Sequence, residues 1–247
     1  MSTRTLAGQR VVVIGGSEGI GLAVAEGALR DGAEVVLASR SADKLARAQA
    51  VLHGAVPGAA AVTTHPTDIA DEAAVEALFA AVGPYDHLVV CAVLPAFAPL
   101  HEVDNASAER VLSVKFWGTF WAAKHGSRQI APTGSITLYG GMAAHRAGVG
   151  ESILAFAQGG TEAFTRALAL ELAPVRVNCV CPGVTETPLW DTVDAGLRDA
   201  IWAEQRERLP VRRIADAHDA AEPALYLMRN RFTTGEVLVI DGGARLV

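Results

Sequence analysis

The stretch Val11–Gly21, VVVIGGSEGIG, decides the fold. Val11 to Ile14 is an uninterrupted apolar run, the mark of a strand covered on both faces. Glycines follow at 15, 16, 19 and 21, and a helical pattern runs from Leu22 to Arg30. Strand, glycine turn and helix in that order bring backbone N–H groups to a helix N-terminus, where a pyrophosphate can bind. The spacing Gly15-xxx-Gly19-x-Gly21 is not GxGxxG. Its place after a strand and before a helix is the context that gives such a turn meaning.

Outward from this stretch, strand-like and helix-like segments alternate, which predicts a parallel sheet covered on both faces. Strands are expected at Glu34–Ala38, Ala61–Thr64, His87–Cys91, Ser135–Tyr139, Val175–Val180 and Val237–Ile240. Helices are expected from Ser39-Arg40 through Leu52, from an Asp71 cap to Val82, over Glu109–Arg128 and over Ile153–Leu172. No linker, repeat or low-complexity segment interrupts the pattern, so residues 1–247 read as one domain. The expected fold class is α/β, a three-layer, doubly wound sheet of about seven mostly parallel strands.

The chain has 247 residues, 51% hydrophobic and 19% charged, which supports a sizeable core and argues against disorder. Net charge is −6, so neither a nucleic-acid backbone nor an anionic membrane is an expected partner. The N-terminus lacks the apolar run of a signal peptide, and no apolar run reaches membrane-spanning length. With three cysteines in all, a cytoplasmic, reducing setting is expected.

Further motifs accompany the glycine turn: TRALALELAPVRVN (Thr165–Asn178), Pro182-Gly183 with Thr187, and TGEVLVIDGG (Thr234–Gly243). Together they resemble the short-chain dehydrogenase/reductase family along nearly the whole chain. That resemblance implies a Rossmann fold, a nicotinamide cofactor, a small-molecule substrate and a homotetramer or homodimer.

The cofactor positions follow. Gly15, Ser17, Glu18, Gly19, Ile20 and Gly21 form the turn. Ser39 and Arg40 follow the second strand, where the adenosine ribose lies in such folds; a guanidinium there pairs with a 2′-phosphate and favours NADP(H) over NAD(H). The alternative is that Arg40 only starts a helix in solvent. Glu18 complicates the preference, because many NADP-using relatives place a basic residue there. Asp68 and Ile69 fit the adenine position, or a loop aspartate beside a helix. Cys91, Ala92 and Val93 stand where the family shows Asn-Asn-Ala-Gly. Pro182, Gly183, Val184 and Thr187 fit the nicotinamide side.

The family's catalytic Asn, Ser, Tyr and Lys fall, from their flanks, on Lys115, Gly141, Leu154 and Gln158. All four side chains are replaced. Leucine cannot transfer a proton, so the family's usual carbonyl chemistry does not run as drawn. Lys115 is the leading replacement acid, with a packed stem and an ammonium tied to a carbonyl as the alternative. Tyr139 faces either the site or a helix interface. His145 and Arg146 lie on the loop after the fifth strand and suit acid–base work and anion binding, or are two exposed loop residues. Gln158 and Trp190 are further substrate candidates. Cys179 and Cys181 form a C-x-C with no second cysteine pair or histidine cluster near them in sequence, so no metal is expected. Residues 187–209 occupy the substrate-lid position. Trp190, Leu197, Ile201 and Trp202 give that segment an apolar face, suited to an apolar ligand or to packing.

Three functions fit: a divergent NADP(H)-dependent oxidoreductase on an apolar carbonyl compound, a non-redox cyclase or isomerase, or an inactive NADP(H)-binding regulatory protein.

Overall fold

A computed structural model describes residues 5–94 and 97–247. Seven strands form one sheet in the order β3-β2-β1-β4-β5-β6-β7. They are β1 (Arg10–Ile14), β2 (Glu34–Ser39), β3 (Val62–Pro66), β4 (Tyr85–Val90), β5 (Ile130–Tyr139), β6 (Arg176–Pro182) and β7 (Val237–Ile240). Every pairing is parallel. The helices are α1 (Gly19–Arg30), α2 (Ala42–Ala55), α3 (Glu72–Val82), α4 (Asn105–Leu112), α5 (Gly118–Gly126), α6 (Ser152–Glu171), α7 (Ala195–Arg208) and α8 (Ala217–Arg229).

Strand alternation divides the core. Val11, Val13, Val35 and Leu37 face α1, α2 and α8, while Val12, Ile14, Val36 and Ala38 face α3, α5 and α6. Both faces of β1 are thus buried, as its unbroken apolar run requires.

Three expectations are corrected. The single helix expected over Glu109–Arg128 is three consecutive pieces, α4, a π-helical turn at Ser113–Trp117 and α5. β5 begins at Ile130, five residues before the expected Ser135, and its pairing with β4 shifts register between Tyr85 and His87. A Cβ on Gly134 would lie 2.1 Å from the Asp86 carbonyl oxygen, so this approach requires glycine. Finally, α8 occupies a stretch in which no element is expected, capped by reciprocal Asp216 and Asp219 hydrogen bonds. The Asp71 cap is in place, accepting from the Ala73 and Ala74 amides.

Strand order reverses direction between β1 and β4. In a doubly wound sheet, the crevice outside the strands' carboxyl ends at that point is where ligands bind.

Candidate nucleotide and substrate site

A cavity of about 470 Å³ opens at that switch point. The end of β1 and the glycine turn form its floor, with Gly15, Ser17, Glu18, Gly19, Ile20 and Gly21 all lining it. Gly15 adopts φ +81°, and a Cβ there would lie 2.9 Å from the Ala92 amide nitrogen. A Cβ on Gly21 would lie 2.2 Å from the Gly15 carbonyl oxygen. Glycine at these positions lets the turn fold onto the start of α1, while the Gly15 and Gly16 amides donate to the Ala38 carbonyl and tie the turn to β2.

The wall beyond β2 carries Ser39, Arg40, Ser41 and Lys44. The Ser39 hydroxyl is buried without a hydrogen-bond partner. Arg40 is exposed and makes no ion pair among the described residues. Lys44 Nζ donates to both Glu18 carboxylate oxygens, at 2.8 and 2.9 Å. The Glu18 charge, which opposes a phosphate, is therefore neutralised within the site. An orphaned hydroxyl, a guanidinium with no ion pair among the described residues and a glycine cradle together fit a nicotinamide nucleotide.

Ile69, Cys91, Ala92 and Val93 complete the inner wall, and Thr187, Pro188 and Leu189 cover it. A Cβ on Gly19 would lie 3.2 Å from Thr187 Cβ, so the covering segment rests on the glycine turn. Four expected cofactor residues do not line this cavity. Asp68 lies outside this cavity, and its Oδ1 accepts from the Ala70 amide at 3.0 Å because it caps a turn. Pro182, Gly183 and Val184 do not line the cavity either; the Gly183 amide donates to the Ile240 carbonyl at 2.8 Å, packing this turn on β7. Sequence reading missed Ser41, Lys44 and Thr67 as lining residues. Ser41 and Lys44 had a signal, one helical turn beyond Arg40.

The catalytic candidates separate. Lys115 lies in the π-turn, is only 2% exposed, and its ammonium donates to the Tyr139 carbonyl. Burial lowers its pKa, against the opposing influence of the Cys179, Cys91 and Cys181 thiols. Tyr139 is corrected: its hydroxyl donates to the Ala220 carbonyl at 2.8 Å, turned into the α8 interface and away from the site. Burial raises its pKa well above the phenolic range, so it is no acid here. Arg146 is likewise occupied, donating to the Ala244 carbonyl at 2.7 Å. Trp190 donates its indole N–H to the Thr185 carbonyl at 2.9 Å and packs against Phe97 and Trp202. Of the apolar face at 187–209, Trp190 and Trp202 are thus engaged with each other, whereas Leu197 stays 51% exposed.

Gly141 and Gln158 meet. A Cβ on Gly141 would lie 2.6 Å from Gln158 Nε2, and Gln158 Oε1 is buried without a partner. Leu154 packs with Val111 and Ala143. The segment that would carry a tyrosine is apolar filling.

His145 is not in the cavity. Its Nε2 lies 2.8 Å from Glu162 Oε1, and the same oxygen accepts from Cys181 Sγ at 3.3 Å. The expectation that no histidine stands near the C-x-C is corrected, because β5, α6 and β6 bring these residues together.

Comparison with known proteins agrees with this geometry. A family profile described as enoyl-(acyl carrier protein) reductase matches residues 15–245. A short-chain dehydrogenase/reductase, ATR9, of Stachybotrys chlorohalonatus is 34% identical over 98% of this chain and 99% of its own length. The structure of MalC Reductase/Diels-Alderase from Malbranchea aurantiaca superposes with a TM-score of 0.90 at 32% identity, covering 100% of both chains. An NADPH-bound short-chain oxidoreductase from Pseudomonas aeruginosa PAO1, described as containing an atypical catalytic center, gives 0.88 at 26% identity over 97% of this chain and 98% of that one. With the doubly wound sheet, the glycine turn and these matches along its length, the chain belongs to the short-chain dehydrogenase/reductase family.

Proposed function

We propose that the chain is an NADP(H)-dependent oxidoreductase with a non-standard centre, acting on an apolar carbonyl-type small molecule. The observation that carries this reading is the wall beyond β2, where an unpaired Arg40 and an orphaned Ser39 hydroxyl stand beside the glycine cradle. NADPH, when bound, would supply the hydride. Arg40 and Ser39 would hold its ribose phosphate, and the glycine-turn amides its pyrophosphate. Lys115 is the proton source in this reading: it does not line the cavity and its buried ammonium rests on the Tyr139 carbonyl, so it would have to leave that carbonyl to reach a substrate. The NADPH-bound relative described as having an atypical catalytic center supports a nucleotide site beside a non-standard centre. The substrate would be a small molecule, and the working form a homodimer or homotetramer.

A second reading is favoured by the loss of a tyrosine and by the likeness to a protein described as both reductase and Diels-Alderase. In it the pocket shapes a non-redox reaction.

One experiment tests the first reading. NADPH and NADH are titrated calorimetrically into the parent, Arg40→Ala and Lys115→Met, and the same proteins are assayed for NADPH oxidation with a panel of apolar ketones and enones. NADPH should bind the parent more tightly than NADH. Arg40→Ala should weaken NADPH by about tenfold or more while sparing NADH, the scale of a charge-assisted hydrogen bond. Lys115→Met should bind NADPH as the parent does and lose turnover. Equal losses for both nucleotides would remove the phosphate clamp, and unchanged turnover would remove Lys115 as the acid.

A further inference from the structure

Three chemically different donors converge outside the nucleotide cavity. His145 comes from the loop after β5, Glu162 from α6 and Cys181 from the carboxyl end of β6. Their donor atoms all lie within 4.8 Å of one another. His145 Nε2 is 2.8 Å from Glu162 Oε1, and Cys181 Sγ is 3.3 Å from the same oxygen. A fourth group, Cys179 Sγ, stands beside this triangle, 3.8 Å from Cys181 Sγ.

Space for the sulfurs is built in. A Cβ on Gly140 would lie 2.6 Å from Cys181 Sγ and 3.2 Å from Cys179 Sγ. Glycine at this point lets both thiols approach the end of β5. An entry path exists as well, since the His145 side chain is 26% exposed and that of Glu162 13%.

Zinc(II) takes sulfur at about 2.3 Å and nitrogen or carboxylate oxygen at about 2.0 to 2.2 Å, tetrahedrally. Such a centre separates sulfur from oxygen by about 3.5 Å and nitrogen from oxygen by about 3.3 Å. The two sides that meet at Glu162 are tighter than this by roughly half an ångström at most, and the Cys181–His145 side lies within 4.8 Å, so a turn of the partly exposed histidine adjusts the set. Without a metal, the Cys181 thiol donates to Glu162 Oε1 and His145 Nε2 lies 2.8 Å from the same oxygen. A divalent ion takes its place among the donors: the Cys181 thiol proton leaves to solvent, and His145 binds through an unprotonated Nε2 with its N–H on Nδ1.

We propose that His145, Glu162 and Cys181 form a binding site for a divalent zinc-class cation, with three protein ligands and one open coordination position. Cys179 lies next to the site and is not a ligand. The ion ties the loop after β5 to α6 and β6.

Cobalt(II) is the probe, because it reports thiolate ligation by an intense near-ultraviolet charge-transfer band. It is added to reduced, chelator-treated full-length protein, and zinc(II) is then used in competition. The expected result is a band that saturates at one equivalent per chain and is abolished by zinc. Cys181→Ser should lose the band. His145→Ala and Glu162→Gln should keep it with affinity weakened by about tenfold or more. Cys179→Ser should keep both band and affinity. Circular dichroism of each variant establishes that it folds. His145→Ala alters a loop residue and carries the test if Cys181→Ser does not fold. Absence of the band in the parent overturns the proposal. So does a band that survives in folded Cys181→Ser, one lost in Cys179→Ser, or unchanged affinity in His145→Ala.

Discussion

At the scale of single residues, Gly141 and Gln158 are matched substitutions. Gln158 is only 8% exposed, and its carboxamide occupies the space into which a side chain at 141 would grow. Gly141 has φ 167°, an extended conformation open to any residue, so only this contact opposes a side chain there. Gly141→Ala should cost about 1 kcal/mol of stability, the overpacking penalty partly offset by the loss of glycine's unfolded-state freedom. In a Gln158→Ala background the penalty should vanish. Urea unfolding of the parent, both single variants and the double variant gives the coupling, expected at about 1 kcal/mol or more. Strictly additive costs would show that the two positions do not compete. The flanking motifs place Gly141 and Gln158 in the sequence, but their contact depends on how β5 meets α6 and is invisible to spacing. The same holds for Glu162, which joins His145 and Cys181 only in three dimensions.

At the scale of elements, the strands were legible because a strand buried on both faces must be apolar throughout. Their ends were less so. β5 starts early with Ala131, Pro132 and Thr133, residues that a strand pattern discounts, because register shift and Gly134 let it pair with β4. The π-turn was illegible, since one extra backbone residue leaves the apolar periodicity of Glu109–Arg128 nearly intact. The β4–β5 register also sets a titration. It pairs His87 with Ser135, and His87 Nδ1 lies 2.8 Å from Ser135 Oγ while Nε2 lies 3.3 Å from Gln9 Oε1. Burial first, and then the Arg176 and Arg231 charges, hold the His87 pKa down to about 3 from its ordinary 6.5. The unfolded chain takes up this proton as pH falls through about 6.5, whereas the folded chain does not until about 3. Stability is thus whole above that upper value and declines as pH falls below it. His87→Gln retains a donor and an acceptor but cannot protonate. Between pH 7 and pH 5 the parent should lose about 2 kcal/mol more unfolding free energy than this variant. Equal pH dependence in parallel urea titrations would mean that His87 is protonated in the folded chain.

At the scale of the whole molecule, the central strands are covered on both faces, yet one helical face is not. Phe116, Trp117 and Phe120 are 41%, 47% and 37% exposed on the π-turn and α5, and Phe156 is 65% exposed on α6. Phe116, Trp117 and Phe120 are a connected surface: Trp117 packs on Phe116, Phe120 and Trp121, with ring centroids 5.2, 6.0 and 5.9 Å away, and Phe120 reaches Phe164 across to α6 at 5.9 Å. A contiguous aromatic patch of this kind costs free energy in water, and aromatic side chains dominate the centres of protein interfaces. A second copy of the chain, applying the same two helices about a two-fold axis, would cover it symmetrically. Burying about 800 Å² on each partner is the usual scale of a stable contact. Trp117→Glu with Phe120→Glu would place carboxylates at its centre, where on association they would be desolvated and set against their own copies. Both side chains are near half exposed, so the folded protomer should tolerate the change. Sedimentation should give the parent the mass of a dimer or tetramer and shift the double variant to a smaller species with an unaltered far-ultraviolet spectrum. If the parent sediments as one chain, or if the double variant keeps the parent's mass, the patch is not the contact between copies, and its aromatic residues must be covered by something other than a second copy.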